Sequence, residues 1–324
     1  MAASPPGTQP GPSNPELQAQ NPDSMWPPET DSKSLVQNFK YPFAFANKRV
    51  YPGAGWSREV TVRELPVSKT LAGVNMRLNA GGVRELHWHT SGEWAIMLYG
   101  TARITAIDAD GRSFVADTKK NDLWFFPSGF PHSIQGLNPD GCEFLLVFDD
   151  GDFSESETVL LSDSMNHLPV EILAKNFNVS ESAFANLPRE ELFIFKTDVP
   201  GNLEDDRKAA AGTLGKSPVD FAFRTDEMKP TKQTKSGDVK IVDSTNFKVT
   251  TTTMALVTVH PGGMRELHWH PNADEWQFFI QGKGRMTVVS TGNKGRTMDF
   301  QARAMSATCK KLCCITSRTL ATTI

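Results

Sequence analysis

The feature that most restricts how this chain can fold is an internal repeat. Arg84-Glu85-Leu86-His87-Trp88-His89 returns 181 residues later as Arg265-Glu266-Leu267-His268-Trp269-His270. That offset is the size of a domain, far above the 20–50-residue period of a solenoid. The surroundings repeat in the same order: Glu93-Trp94 with Glu275-Trp276, Gly100 with Gly282, and Arg103-Ile104-Thr105 with Arg285-Met286-Thr287. Two copies of one fold are expected, and 324 residues suit two domains at roughly 100–200 residues each.

Each copy reads as strands. Glu59–Leu65, Gly73–Leu78, Trp94–Leu98, Ala102–Ile107, Leu123–Phe126 and Glu143–Phe148 are short runs rich in β-branched and aromatic residues. Gly, Asn, Asp and Pro separate them. Lengths and spacing predict an antiparallel sandwich or barrel in preference to βαβ units. Val170–Phe177 and Glu181–Ala185 read as helical. Residues 1–33 form a Pro-rich N-terminal segment, and 197–238, polar and rich in Gly, Pro and Lys, reads as a connector between the copies.

Composition excludes more than it assigns. A net charge of −3 gives no electrostatic reason to bind nucleic acid or an anionic membrane. No signal-peptide core and no apolar run of the roughly 20 residues needed to span a bilayer is present, so a soluble, cytoplasmic protein is expected. Cys142 stands alone in the body of the chain, which fits a reducing compartment. Cys309, Cys313 and Cys314 crowd near the end without the second ligand pair that a structural zinc site needs.

The histidines carry the chemistry. Residues two apart on a strand share a face, so His87 and His89 aim together. Glu93 follows after a short turn, and His132 comes after the turn-rich run Phe126-Pro127-Ser128-Gly129-Phe130-Pro131. Three imidazoles and a carboxylate with open positions suit a mid-series divalent metal, whereas zinc takes fewer ligands. A lone His-x-His is more often a pair of ordinary polar residues. Here it coincides with a nearby Glu, a framing Gly and the domain-length repeat. Five of the seven histidines fall in these motifs, and His167 and His260 are expected to be structural.

With these residues assembled, a family resemblance follows. Gly81-x₅-His87-x-His89-x₃-Glu93-x₆-Gly100 resembles the first cupin motif, and Gly262-x₅-His268-x-His270-x₄-Glu275-x₆-Gly282 is its second copy. Pro127-x-Gly129-x₂-His132 resembles the second motif, with Asn121 where Gly is usual and Gly136 where Asn is common. The expected fold is therefore all-β: two tandem cupin barrels of the jelly-roll type, the second incomplete. From about Asn21 to Gln301 the chain is similar to the bicupin oxalate decarboxylases. The match includes Pro27-Pro28-Glu29-Thr30, both Arg-Glu-Leu-His-Trp-His blocks, Phe125 to Gln135, Leu146 to Gly151 and Asp243 to Val249.

The resemblance implies conversion of oxalate to formate and CO2 with Mn2+ at each intact cupin site and dioxygen as co-catalyst. It implies a first metal site of His87, His89, Glu93 and His132, and a second of His268, His270 and Glu275 that lacks a fourth ligand. Arg84, and Arg265 in the second copy, would hold the substrate through a planar fork matched to a carboxylate. Ser154-Glu155-Ser156-Glu157-Thr158 corresponds to a flexible lid whose Glu155 would be the catalytic proton donor. The resemblance also implies a homo-oligomer, since related bicupins are often hexamers. The alternatives are an oxalate oxidase releasing peroxide and a catalytically inactive metal-binding paralogue.

The chain organisation expected is therefore 1–33 lead-in, 34–196 first barrel with metal site and lid, 197–238 connector, 239–302 partial second barrel and 303–324 an aberrant tail. No histidine follows His270, and the His89-to-His132 separation counted on from His270 reaches Cys313. The tail has no acidic residue and loses the strand rhythm. Allowed codons for Arg303 onward, read one frame over, yield a sequence with the missing His across Cys314 and Ile315. A frameshifted carboxy terminus is expected on that ground.

Overall fold

The computed structural model describes residues 36–292, 294–301, 305–309 and 314–319, with the backbone alone described from 301 on. The lead-in 1–33 lies outside the described residues. The chain divides into two compact units, Ala46–Thr258 and a second that joins Val259–Ile324 to the start of the chain through Phe45. β1 (Lys40–Pro42) thus falls in the C-terminal unit.

The first unit is built on β2 (Lys48–Tyr51), β3 (Gly55–Val60), β4 (Ala72–Leu78), β5 (Gly82–Trp88), β6 (Glu93–Ile107), β7 (Ser113–Lys119), β8 (Asp122–Phe126), β9 (His132–Gly136) and β10 (Cys142–Phe148). They hydrogen-bond in the order β5-β9-β6-β10-β4-β3-β2. β6 makes the corner. Its first half pairs with β10 and β8, and its second half with β7 and β9. The two strands expected at Trp94–Leu98 and Ala102–Ile107 are this one strand, turning from one sheet to the other at Gly100. Gly100 has φ +72°, and a Cβ there would lie 1.9 Å from the Gly141 carbonyl oxygen, so only glycine fits. Val74, Met76 and Leu78 alternate inward along β4 and join Ile104, Trp124, Phe126, Ile134, Phe144 and Phe148 in one core. Each large side chain buried there contributes roughly 1.5–3 kcal/mol.

Beyond β10, a 3-10 turn at Glu155–Glu157 leads to β11 (Val159–Leu160), α1 (Leu161–Asn166), α2 (Val170–Phe177) and a 3-10 turn at Glu181–Phe184. The expected helix at Val170–Phe177 is present, closed by Asn178 in the left-handed region at φ 52°. β12 (Ile194–Lys196) then pairs with the edge of β5. The stretch expected as a connector is not a free-running linker. It carries α3 (Leu203–Ala211), whose Arg207 Nε donates to the Val115 carbonyl at 2.8 Å, and β13 (Ala222–Arg224), which pairs with β8. β14 (Lys232–Thr234), β15 (Gly237–Val242) and β16 (Met254–Val259) complete a small sheet of their own.

The second unit repeats these pairings. It contains β17 (Met264–His268), β18 (Glu275–Phe279), β19 (Lys283–Ser290), β20 (Lys294–Gln301), β21 (Met305–Cys309) and β22 (Cys314–Thr319). β22 lies between β17 and β19 as β9 lies between β5 and β6, β20 pairs with β19 as β7 with β6, and β21 pairs with β18 as β8 with β6. The strand rhythm that the tail loses in sequence is therefore kept in the backbone of 305–309 and 314–319. Incompleteness lies elsewhere: among the described residues no strand takes the place that β10 holds in the first unit. Among the described residues no helix is long and apolar enough to cross a membrane.

Candidate metal centre

Four side chains meet inside the first unit. His87 comes from the end of β5 and His89 from the residue just past it, Glu93 opens β6 and His132 opens β9, directly opposite His87 in the strand register. Their ligating atoms all lie within 4.8 Å of one another, and all four residues are buried. The fixed hydrogen bonds decide which atoms face inward. His87 Nδ1 lies 2.7 Å from the Glu85 carbonyl, His89 Nδ1 2.7 Å from that of Ser91, and His132 Nδ1 2.8 Å from that of Phe130. A carbonyl can only accept, so each Nδ1 carries the proton, and a neutral ring then turns a bare Nε2 lone pair to the centre. Burial pushes His87 and His132 below the ordinary histidine range, keeping both rings neutral. Burial alone would raise Glu93, but contact with His132 and His89 outweighs it and holds the carboxyl well below the usual range.

The Nε2 atoms of His89 and His132 each stand 3.3 Å from Glu93 Oε2. With the protons on Nδ1, these are lone pairs converging on a carboxylate oxygen, an arrangement that calls for a cation between them. Trp124 Nε1 donates to the other carboxylate oxygen at 3.2 Å and fixes its orientation. The donor set therefore fits a divalent metal.

Arg84 reaches this side of β5 by a backbone irregularity. It stands three positions before His87, an odd offset that in a regular strand would put the two on opposite faces. The ladder to β9 pairs Arg84 with Ile134 and His87 with His132, so one extra residue is accommodated between them as a β-bulge. β17 has the same slip: Arg265 pairs with Ser317 and His268 with Ile315. Arg84 is buried, donates from Nη1 to the Phe193 carbonyl at 3.3 Å and lies 3.7 Å from the centre of the Phe193 ring. Phe193 adopts φ 50°, a strained conformation for a bulky residue, and stacks on Tyr51 at 5.3 Å. Nothing in the sequence singles Phe193 out, because its role rests on a backbone angle and on a contact 109 residues away.

Glu155 is buried at 3 % exposure, while the neighbouring Ser156 and Glu157 are exposed. Burial raises its carboxyl to about 7, with Arg84 pulling it down and Glu59 pushing it up. The proline-framed second motif is also explained: Asn121, where glycine is usual, has φ 70°, which Asn tolerates better than most residues. His167 is exposed at the end of α1, its ring against Asp163.

The second cluster is looser. His268, His270 and Glu275 come together, but all three are only partly buried. Glu275 Oε2 lies 2.7 Å from His270 Nε2 and 3.4 Å from His268 Nε2, and Gln277 donates to its other oxygen. Arg265 is half-buried. The counted position of a fourth ligand, Cys313, lies outside the described residues. The register puts Ile315, not a histidine, opposite His268. One of the additional residues behind that shift sits in the turn between His270 and Glu275, which is one residue longer than the turn between His89 and Glu93.

The duplicated barrel with a histidine–carboxylate cluster in each copy defines a bicupin. The model of the cupin family matches residues 43–184 and 223–310. Over 292 residues the chain is 52 % identical to oxalate decarboxylase OxdC of Bacillus subtilis, covering 90 % of this chain and 74 % of that one. It is 37 % identical to a probable oxalate decarboxylase of Arthroderma benhamiae, over 90 % and 72 % of the two chains. Among solved structures it resembles the formate complex of Lactobacillus farciminis oxalate decarboxylase, with TM-score 0.84, 45 % identity and coverage of 88 % and 83 %. It also resembles a structure of the B. subtilis enzyme solved to assign its Mn(II) centres, with TM-score 0.87, 47 % identity and coverage of 99 % and 84 %. The chain belongs to the cupin family, within its bicupin oxalate decarboxylase branch.

Proposed function

We propose that the protein decarboxylates oxalate to formate and CO2 at the first centre, with Mn2+ held by His87, His89, Glu93 and His132. The observation that carries this reading is a buried arginine and a buried, protonatable carboxylate electrostatically coupled beside a buried three-histidine, one-carboxylate cluster. The metal, when bound, supplies a Lewis-acidic anchor for an oxalate oxygen. Arg84 binds the substrate carboxylate through its fork, and the Phe193 ring and carbonyl keep the guanidinium from swinging away. The carbon that loses CO2 must take up one proton. Glu155, raised to about 7, still carries one in mildly acidic solution and delivers it, to be reprotonated from solvent afterwards. Folding of the 154–158 lid over the substrate excludes water from that step. His268, His270 and Glu275, with Arg265 beside them, form a weaker second metal and substrate site. Dioxygen as co-catalyst belongs to the same proposal, and turnover under rigorous anaerobiosis would remove it.

The experiment is to measure formate and peroxide from oxalate with manganese-loaded protein at mildly acidic pH. Formate without stoichiometric peroxide supports the reading, and peroxide in place of formate reassigns the chain to oxalate oxidation. Neither product makes it an inactive metal-binding relative.

A further inference from the structure

The lid segment is held down at two points by a strand that carries none of the metal ligands. Ser57 and Glu59 sit two apart on β3, so both side chains leave the same face. Ser57, completely buried, donates its hydroxyl to Glu155 Oε2 at 2.9 Å. Glu59 Oε2 accepts the Glu155 backbone N–H at 3.3 Å, and Glu59 is itself tied to Arg63 at 2.9 Å. One contact fixes the carboxyl and the other fixes the backbone that bears it.

We infer that Ser57 is a positioning residue for Glu155: its hydroxyl catches the carboxyl in the closed lid and fixes the rotation from which the proton is delivered. This rests on Glu155 being the proton donor. A hydroxyl suits the task because it can donate to the ionised carboxylate and, after rotation, accept from the protonated acid. The contact therefore survives both halves of the catalytic cycle, whichever carboxyl oxygen carries the proton. A residue at the end of a free lid would sample many rotamers. A fully buried partner on a rigid strand confines it to one.

The test is a double-mutant cycle on manganese-loaded full-length protein, reading formate kcat and KM for Ser57→Ala, Glu155→Gln and the pair. Removing one oxygen from a buried serine leaves a near-isosteric side chain, and unchanged metal content confirms the fold. Ser57→Ala is expected to lower formate kcat about tenfold with KM nearly unchanged and to raise peroxide per turnover. The double variant is expected to be no slower than Glu155→Gln alone, because the hydroxyl acts only through the carboxyl. In metal-free protein, hydrogen exchange across 154–160 is expected to be faster in Ser57→Ala. Wild-type kcat in Ser57→Ala, or losses that multiply in the double variant, overturns the inference while leaving Glu155 as donor. Full formate production by Glu155→Gln brings down the donor reading itself, and the role of Ser57 with it.

Discussion

At the scale of single residues the site depends on burial acting differently on neighbouring groups. The same dry interior keeps His87 and His132 neutral, raises Glu155, and is overcome at Glu93 only by direct contact with imidazoles. The pH dependence follows from Glu155. Its folded value, about 7, is above its ordinary one, so its contribution to stability is fully present below pH about 4.5 and is lost as pH rises through about 7. The protonated donor disappears over the same window. Formate kcat is thus expected to fall as pH rises through about 7, and a pH–rate profile of Glu155→Gln should lack that limb. In that variant the rate itself should drop by about 10²–10⁴-fold, the usual worth of a general acid, with metal content unchanged. Arg84→Lys keeps the charge but loses the fork, and should raise KM for oxalate roughly tenfold in steady-state kinetics.

At the scale of elements, the sequence showed which side chains would cluster but not how they are aimed. The convergence of His87, His89, Glu93 and His132 was legible because a metal-binding pattern uses few residue types at tight spacing, and the strand alternation that aims the first two is a local rule. Arg84 was not reachable by that rule, since alternation puts it on the wrong face; only the bulge between it and His87 corrects this. Ser57 and Phe193 were invisible, because a serine in a strand and a phenylalanine in a loop have no pattern of their own. The boundary between the two strand halves at Gly100 was read as a break, yet the chain stays extended through it and changes sheets. Gly100→Ala would place a methyl group 1.9 Å from the Gly141 oxygen at the corner that carries Glu93 on the same strand. It should cost about 3 kcal/mol or more, visible as a lowered Tm and a reduced yield of metal-loaded protein.

At the scale of the whole molecule, duplication supplies two clusters of unequal quality from nearly the same motif. Both use a His-x-His at the end of a bulged strand and a glutamate opening the next one, so the local chemistry alone does not separate them. They differ in what closes over them. The first has His132 facing His87 and a buried shell; the second has Ile315 in the corresponding register and cluster side chains that are only partly buried. Solvent competes for the cation and a missing imidazole removes one bond to it, so the two effects act in the same direction. Titration with Mn2+ is therefore expected to show one tight and one weak site per chain. His132→Ala should abolish the tight one, whereas His270→Ala should leave it untouched. The stronger test is restoration. Ile315→His places an imidazole at the strand position opposite His268, and should tighten the weak site by at least the roughly 10–100-fold that outer-shell partners are worth. An unchanged weak affinity would mean that exposure limits the second site more than ligand number does. A rise toward two equally occupied sites would show that a single side chain separates the two barrels.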